Sequence, residues 1–212
     1  MEDKQFLLFD EPSQDPLKGV ENHPDDISQI SGLQIYPDFL TDEESYLLID
    51  YLYTEGNWDT VLQRRTIQYG YAYNFQEKNI SPDFIPFPDV LREVIATKLK
   101  THAIIDKIDQ CIVNEYEKGQ GISKHVDAPD IFSEPVISVS LLSHCVMNFT
   151  KKEVDKIIKV PVLLKKNSLL VMTDDARYDW EHEIPAKKTD EFEGIKFPRE
   201  KRVSLTFRKT IL

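Results

Sequence analysis

The stretch PVISVSLLSHCVMNFTKKEVDKIIKVPVLLKKNSLLVM, residues 135–172, consists of short apolar runs separated by polar turns. Runs of this length and spacing predict short strands, and similar runs occur on either side of the stretch. The predicted strands are 110–116, 135–142, 145–150, 156–164, 168–172 and 202–208. Because no helical pattern lies between them, they indicate an antiparallel sandwich or barrel rather than parallel βαβ units.

Two helices are predicted upstream of these strands. In GLQIYPDFLTDEESYLLIDYLYTEG, residues 32–56, Thr41 and Glu44 form a capping box. The apolar stripe of this helix contains Tyr46, Leu47, Ile49 and Leu52. A second amphipathic helix follows a Pro-rich loop, and its apolar positions are Leu91, Val94, Ile95 and Leu99. The predicted fold class is therefore an all-β core with flanking helices (α+β), a jelly roll.

The acidic residues are concentrated at the N-terminus. The formal net charge is −11, yet residues 1–60 hold 15 Asp and Glu against 2 Lys, a balance of −13. Residues 61–212 hold 22 acidic and 24 basic residues, a balance of +2. Since phosphates are bound by Lys and Arg, the overall charge does not exclude a nucleic-acid partner. We expect residues 1–30 to form a loose acidic arm and residues 31–212 to form one domain.

Cysteine usage and hydropathy suggest the compartment. Cys111 and Cys145 are far apart and have no CxxC partner, so neither a disulfide framework nor a structural zinc site is indicated. No stretch approaches the ~20 apolar residues of a membrane span, and residues 1–15 lack the pattern of a signal peptide. We expect a monomer without membrane contact, in the cytoplasm or in a eukaryotic nucleus.

An isolated His-x-Asp motif raises the question of a metal. In NEYEKGQGISKHVDAPD, residues 114–130, His125 and Asp127 follow a Gly-x-Gly turn. They could be an incidental polar pair in a surface turn, or two of three ligands of a redox metal. On extended backbone, residues two apart point to the same side. Two imidazoles and one carboxylate on one face of Fe(II) leave three adjacent positions open, enough for a bidentate co-substrate and dioxygen.

The five histidines differ as candidates for the third ligand. His23 lies in the acidic arm and His102 follows a helix, so both are expected to face solvent. His144 lies at a hairpin and needs no special role. His182, in ARYDWEHEIPA, follows a strand that would return antiparallel to the strand before the His-x-Asp, 57 residues after His125. His182 is therefore the predicted third ligand.

The C-terminal strand REKRVSLTFRKT has two distinct faces. Val203, Leu205 and Phe207 form an apolar side, and the opposite side carries Arg202, Ser204, Thr206 and Arg208. The polar side could simply face water. Alternatively, it could line a cavity in which the arginines bind a dicarboxylate, because a guanidinium matches a carboxylate bidentately and keeps its charge.

Taken in order, these motifs resemble those of the AlkB family of Fe(II)/2-oxoglutarate dioxygenases. The resemblance spans about residues 30–210 and implies a double-stranded β-helix that uses Fe(II), 2-oxoglutarate and O2. It implies that iron is held by His125, Asp127 and His182. It also implies 2-oxoglutarate binding by Asn114, Tyr116, Arg202, Ser204 and Arg208, with Arg202 on the distal carboxylate and Arg208 near the keto-acid end.

The resemblance also suggests where the substrate binds. RRTIQYGYAYNF, residues 64–75, is expected to be a strand or hairpin and is similar to the family's nucleotide-recognition lid, a segment at about 57–90 here. Its candidate substrate-binding residues are Arg65, Tyr69, Tyr71 and Tyr73. The rings, with Phe75, could stack on a flipped base. They could equally be a hairpin packing on the barrel.

Two positions differ from the repair branch of the family. Pro129 replaces an acidic residue that touches the flipped base there, and Ser204 replaces an asparagine. The segments RRTIQYGYAYNF, ARYDWEHEI and SLTFRK are closer to the branch that hydroxylates modified wobble uridines in tRNA, and to small bacterial homologues. The sequence thus predicts an oxygenase that hydroxylates or demethylates a nucleobase of RNA, tRNA or alkylated DNA. A protein hydroxylase or demethylase with the same iron site, and a non-catalytic binding module, remain alternatives.

Overall fold

Two antiparallel sheets face each other in the computed structural model, which describes residues 15–101 and 108–211. The strands are β1 (Leu33–Tyr36), β2 (Arg65–Asn74), β3 (Asn79–Ile85), β4 (Gln110–Tyr116), β5 (Ile122–His125), β6 (Phe132–Leu141), β7 (Cys145–Lys152), β8 (Ile157–Leu164), β9 (Leu169–Met172), β10 (Glu181–Ile184), β11 (Thr189–Phe192), β12 (Ile195–Pro198) and β13 (Arg202–Thr210). The large sheet has the order β1-β9-β6-β13-β4-β2-β3 and the small sheet β5-β10-β7-β8, while β11 and β12 form a hairpin. This is the predicted jelly roll.

Helices pack on the outer face of the large sheet and against edge strands of both sheets. They are α1 (Pro24–Ser28), α2 (Asp42–Thr54), α3 (Asp89–Leu91), a π-helical turn (Arg92–Ala96), α4 (Thr97–Thr101) and α5 (Asp174–Tyr178). The predicted capping box at the start of α2 is present, since Thr41 and Glu44 each bond the other's backbone N–H. The second predicted helix is confirmed in place, although a π-helical turn interrupts it.

The central strands of the large sheet present an apolar face to the helices. Val203, Leu205 and Phe207 of β13 lie in one buried cluster with Leu48 and Leu52 of α2. Because side chains alternate along a strand, Ser204 and Thr206 face the other way, toward the small sheet. The space between the sheets is closed at one end by a second apolar cluster, which contains Phe149, Met172 and Trp180. The other end holds polar side chains.

The predicted loose arm is wrong for residues 15–30. Leu17 is completely buried in a small cluster that includes Phe192 and Phe197 of the β11–β12 hairpin. The Asn22 side chain both donates to the carbonyl oxygen of Leu163 and accepts from its N–H, at 2.9 and 2.7 Å. A polar segment is thus held to the edge strand β8 by one amide side chain and one leucine. Residues 1–14 of the predicted arm lie outside the described residues.

Several short strands escaped the sequence pattern. The six predicted strands all occur, and the aromatic segment 64–75 falls in the β2–β3 hairpin. The strands β1, β5, β10, β11 and β12 have only four residues each and, unlike the equally short β9, contain no continuous apolar run. No helix in the described ranges is long and apolar enough to cross a membrane.

Candidate active site

His125, Asp127 and His182 come together at the open end of the space between the sheets. His125 ends β5, and His182 lies directly opposite it in the neighbouring strand β10. One ligand atom from each of the three residues lies within 4.8 Å of the other two, and Asp127 Oδ2 is 3.5 Å from His182 Nε2. Asp127 and His182 are buried and His125 is half-buried.

The side chains of the three residues suit a divalent metal. The Nδ1 atom of His125 lies 2.7 Å from the carbonyl oxygen of Ser123, so Nδ1 is the donor to this carbonyl and Nε2 is the ring nitrogen left for a metal. Burial lowers the pKa of His182 to about 4, although Asp127 opposes the shift, and this imidazole is therefore neutral. Burial alone would raise the pKa of Asp127, but Arg208 and the imidazoles outweigh it and hold the pKa well below its usual range. Two imidazoles and one carboxylate fit iron(II).

Arg208 binds one oxygen of Asp127. Its Nε and Nη2 atoms lie 2.8 and 2.6 Å from Oδ1, and its Nη1 donates to Gln110 Oε1 at 3.2 Å. Because Oδ1 is occupied by the guanidinium, the other oxygen is the one that faces His182. Charge-assisted pairs of this geometry are strong and directional. The carboxylate is thus oriented by β13 of the opposite sheet.

Arg202 is a buried cation without a carboxylate partner in the described residues. Its exposed fraction is 4%, Nη2 donates to Ser140 Oγ at 2.8 Å, and Nε is buried without any hydrogen-bond partner there. The guanidinium lies over the Tyr116 ring, 5.7 Å from its centroid. Burial raises the pKa of Tyr116, although Arg64 and Arg202 oppose this, so the phenol remains a donor. Unsatisfied donors of this kind fit a carboxylate such as that of 2-oxoglutarate.

The pairing of β13 with β4 and β6 explains this polar wall. In the register, Arg202 lies opposite Tyr116, and Ser204 opposite both Asn114 and Ser140. These residues therefore share the inner face, and the predicted alternation of β13 is confirmed. All five predicted 2-oxoglutarate-binding residues are brought together here: Asn114, Tyr116, Arg202 and Ser204 line a cavity of about 680 Å³ with Arg208 and the His-Asp-His group.

The structure corrects three of the four predicted substrate-binding residues. Arg65 pairs with Glu115 on the outer face of the large sheet, and Tyr69 belongs to the core beneath the helices. Tyr71 packs edge-on against Phe84, away from the cavity. The reason is the pairing of β2 with β4, which places Arg65 and Tyr69 opposite Glu115 and Cys111 on the helix-covered side.

Tyr73 is the predicted lid residue that does line the cavity. The register between β2 and β3 shifts after Tyr71, and the Tyr73 ring packs against Phe75 and Phe132 at centroid distances of 5.3 and 5.6 Å. The side chain of Gln68 fixes the backbone of Tyr73, since its amide accepts from the N–H and donates to the carbonyl. The β2–β3 hairpin therefore presents an aromatic surface in the same cavity as the His-Asp-His group.

Two arginines of the site were missed in the sequence. Arg64, just before β2, donates through Nε to Asn114 Oδ1 at 2.7 Å and lines the cavity. Arg177 of α5 is 2% exposed and donates to the carbonyl oxygens of Asp127, Ala128 and Phe132. A charged residue in a polar segment gives no burial signal, so Arg177 could be found only from the contacts. Its guanidinium fixes the loop that carries Asp127.

The other two described histidines, His23 and His144, take no part in this group. His23 is largely exposed and caps α1, as predicted. His144 accepts a hydrogen bond from the Lys166 N–H and lies 3.3 Å from Asp15, which is a structural role in the hairpin. His102 lies outside the described residues. Pro129 is exposed in the loop after Asp127.

Comparisons with known proteins agree with the resemblance to Fe(II)/2-oxoglutarate dioxygenases. The model of the 2OG-Fe(II) oxygenase superfamily matches residues 32–208. The chain is 37% identical over 189 residues to "Uncharacterized protein L905" of Acanthamoeba polyphaga mimivirus, with 86% of each chain covered. It is 34% identical over 168 residues to the Macaca fascicularis protein named tRNA (carboxymethyluridine(34)-5-O)-methyltransferase ALKBH8, covering 75% of this chain and 25% of that protein.

A solved structure shares the fold. The structure of OsALKBH1 superimposes with a TM-score of 0.60 at 18% identity and covers 84% of this chain and 96% of that chain. The sequence relatives, the family model and the geometry of the His-Asp-His group agree. The chain belongs to the 2OG-Fe(II) oxygenase superfamily and, within it, to the AlkB family of iron(II)- and 2-oxoglutarate-dependent dioxygenases.

Proposed function

We propose that this dioxygenase hydroxylates or demethylates a nucleobase of RNA, tRNA or alkylated DNA, presented in a single strand or flipped from a duplex. One observation supports this above the others. A single cavity of about 680 Å³ contains the His-Asp-His group, the unpaired Arg202 and the aromatic ring of Tyr73. A planar base stacked on Tyr73 would lie in the same cavity as the metal-binding residues.

The roles of the metal-binding residues follow from their donor atoms. His125 and His182 would bind iron through Nε2, and Asp127 through Oδ2. Arg208 would hold Asp127 in the required orientation. Iron(II), 2-oxoglutarate and dioxygen together supply an oxidant that inserts one oxygen atom into a C–H bond, with release of succinate and carbon dioxide. If that carbon is an N-methyl group, the hydroxylated product loses formaldehyde.

The roles of the co-substrate residues follow from the unsatisfied donors. Arg202 would donate to the distal carboxylate of 2-oxoglutarate through Nε, which has no partner in the described residues. The Tyr116 hydroxyl, the amide nitrogen of Asn114 and the Ser204 hydroxyl would add further hydrogen bonds. Arg208 would approach the keto-acid end, because it already reaches Asp127.

The substrate contacts come from the lid. Tyr73 and Phe75, which pack edge-on, would exclude water from one face of the base. The relative ALKBH8 is named for an activity on carboxymethyluridine 34 of tRNA, which makes uridines of tRNA the first bases to test.

We also propose a monomer in the cytoplasm, where the buried free thiols of Cys111 and Cys145 would stay reduced.

The proposed function is tested with nucleic acids as they occur in the cell. Mass spectrometry of tRNA, mRNA and DNA should find one modified nucleoside that changes when the gene is deleted. The purified iron-loaded enzyme should convert the deletion strain's nucleic acid and release succinate, and the Asp127→Ala variant should do neither. A wild-type enzyme that oxidises members of a peptide library but no nucleic acid would contradict the proposal and favour a protein substrate.

A further inference from the structure

The charged side chains that line the active-site cavity are mostly cations. Arg64, Lys78, Arg202 and Arg208 line it, and Asp127 is the only carboxylate among its described lining residues. Iron(II) and the dianion of 2-oxoglutarate would cancel each other's charge. Asp127 then offsets one arginine, Arg208, and the positive charges of Arg202, Arg64 and Lys78 remain. Charges act more strongly in such a cavity than in bulk water, so the loaded site favours an anionic substrate group.

Arg64 is the cation best placed to meet that group. Its Nε donates to Asn114 Oδ1 at 2.7 Å, and its guanidinium lies 5.8 Å from the centroid of the Tyr116 ring. Within the described ranges it forms no ion pair and its terminal nitrogens make no hydrogen bond. The neighbouring Arg65, by contrast, is fully used by Glu115 on the other side of the sheet. Arg64 is therefore oriented by one N–H and keeps its Nη donors for a ligand.

Two other arginines already serve the co-substrate. Arg202 and Arg208 lie on β13 and supply one cation for each end of 2-oxoglutarate. Arg64 approaches from the lid, and so does Lys78, which follows in the β2–β3 turn. The two lid cations thus reach the cavity from the hairpin on which the base is proposed to stack, and Nε of Arg64 is anchored on Asn114 of the wall proposed to bind 2-oxoglutarate.

We propose that Arg64, supported by Lys78, forms an anion-binding subsite that takes a carboxylate or phosphate group of the substrate. This inference rests on the proposed function and specifies its substrate as one that carries a negative charge close to the oxidised base. The anion could be a carboxylate attached to the base itself or a phosphate of the adjoining backbone. A guanidinium with free Nη donors binds either group bidentately.

The test compares charged ligands with their neutral counterparts. The anaerobic enzyme, loaded with iron and saturating 2-oxoglutarate, is titrated by calorimetry with 5-carboxymethyluridine and its neutral methyl ester. A second pair is uridine 5′-monophosphate and uridine. Charge-assisted hydrogen bonds predict a preference of roughly 10- to 150-fold for one anion over its neutral counterpart. Arg64→Gln should remove this preference, and Lys159→Gln, the same charge change on an exposed lysine outside the cavity, should keep it.

The outcomes separate the two sources of the anion. A preference for the acid over its ester identifies a carboxylate on the base, and a preference for the monophosphate alone identifies the backbone. Equal affinities within both pairs would overturn the subsite even if all four ligands bind. An equal loss of 2-oxoglutarate and anion affinity in Arg64→Gln would also overturn it, because Arg64 would then belong to the co-substrate site.

Inorganic phosphate distinguishes this inference from the proposed function. If phosphate binds the loaded wild type and at least tenfold more weakly to Arg64→Gln, while no nucleoside binds and no nucleic acid is oxidised, the subsite stands and the nucleobase assignment fails. If nucleic acid is oxidised but neither phosphate nor either charged ligand shows a dependence on Arg64, the nucleobase assignment stands and the subsite is wrong.

Discussion

Arg208 directs both Nε and Nη2 to a single oxygen of Asp127, at 2.8 and 2.6 Å, which leaves the second oxygen beside His182. The two residues belong to different walls, because Arg208 lies on β13 and Asp127 follows β5. The strand that carries Arg202 and Arg208 therefore also orients the carboxylate of the His-Asp-His group. Arg177 holds the backbone carbonyl of Asp127 from a third direction at 2.7 Å. The carboxylate of Asp127 is thus held by one arginine and its backbone carbonyl by another.

Replacing Asp127 should abolish iron binding and turnover. Asp127→Ala removes the carboxylate ligand, and two imidazoles alone do not complete the facial site. It also leaves Arg208 without its anion. The metal-free variant should therefore lose about 3 kcal/mol of unfolding free energy, which is the low end of the cost of breaking a buried ion pair. Iron titration and chemical denaturation measure the two effects. His144→Ala should keep its iron, and normal turnover by Asp127→Ala would contradict the ligand assignment.

Arg177 should act on iron affinity through the backbone of the Asp127 loop. Arg177→Leu removes the donor to the buried carbonyl oxygens of Asp127 and Phe132, and a buried carbonyl oxygen that is left unpaired costs about 1–3 kcal/mol. We expect a less stable protein whose folded form binds iron at least tenfold more weakly. Arg199→Leu is the matched control, since Arg199 is similarly buried but pairs with Asp190 rather than with the loop that carries Asp127. Equal iron affinity in both variants would show that Arg177 only stabilises the fold.

Asp127 and Arg177 show which parts of the site could be predicted from the sequence and which could not. The His-x-Asp, the distal histidine and the alternation of β13 were readable because ligands and strand faces have fixed spacings. The role of Arg177 depends on carbonyl groups that a loop directs inward, and a sequence carries no sign of that. Residues 15–30 were missed for a related reason, since the polar Asn22 is held by backbone groups of β8 rather than by apolar contacts.

Tyr73 and Tyr71 should respond differently to truncation. Tyr73→Ala removes a ring that lines the cavity, and a stacking contact contributes ~1–3 kcal/mol per base. Substrate efficiency should therefore fall roughly tenfold or more, while 2-oxoglutarate consumption without substrate is spared. Tyr71→Ala removes a ring that packs on Phe84 and should leave substrate efficiency nearly unchanged. Kinetics of both reactions decide this, and a larger effect from Tyr71→Ala would mean that the lid adopts another register on the substrate.

The lid also shows why a string of aromatic residues is hard to assign. Arg64 and Arg65 are adjacent and identical in type, yet pairing with β4 sends one to the cavity and the other to Glu115 on the outer face. Which of two neighbours points inward depends on the strand register, and one step of register exchanges the faces. The register of β2 is fixed by its partner strand, so the segment alone could not reveal it.

The Arg65–Glu115 pair should make stability depend on pH. Burial alone would raise the pKa of Glu115, but Arg65 and Tyr53 outweigh it and lower the pKa below its ordinary value of 4.5. A lowered folded-state pKa contributes stability above pH 4.5 that is lost as the pH falls through the folded value. Glu115→Gln should therefore cost about 1.5–3 kcal/mol at pH 7, and its difference from the wild type should shrink below pH 4.5. Denaturation across pH 3–7 checks this, with the exposed Glu117→Gln as control. A constant difference would rule out the ionised pair as the cause.

Arg202→Lys should weaken 2-oxoglutarate binding with little effect on iron. Lysine keeps the charge but loses the planar fork that matches a carboxylate, and Nε of Arg202 is a buried donor still without a partner in the described residues. Charge-assisted hydrogen bonds contribute ~1.5–3 kcal/mol, which corresponds to a roughly 10- to 150-fold loss of affinity. No iron ligand is touched, so the iron affinity should stay the same.

The exposed Lys209 on the same strand supplies the control, because Lys209→Gln should change either affinity by less than about 0.5 kcal/mol. Titration of 2-oxoglutarate into the anaerobic iron-loaded variants measures the difference. An unchanged affinity in Arg202→Lys would mean that the co-substrate does not use the unpaired donor of this residue, and the dicarboxylate would then have to bind elsewhere in the cavity.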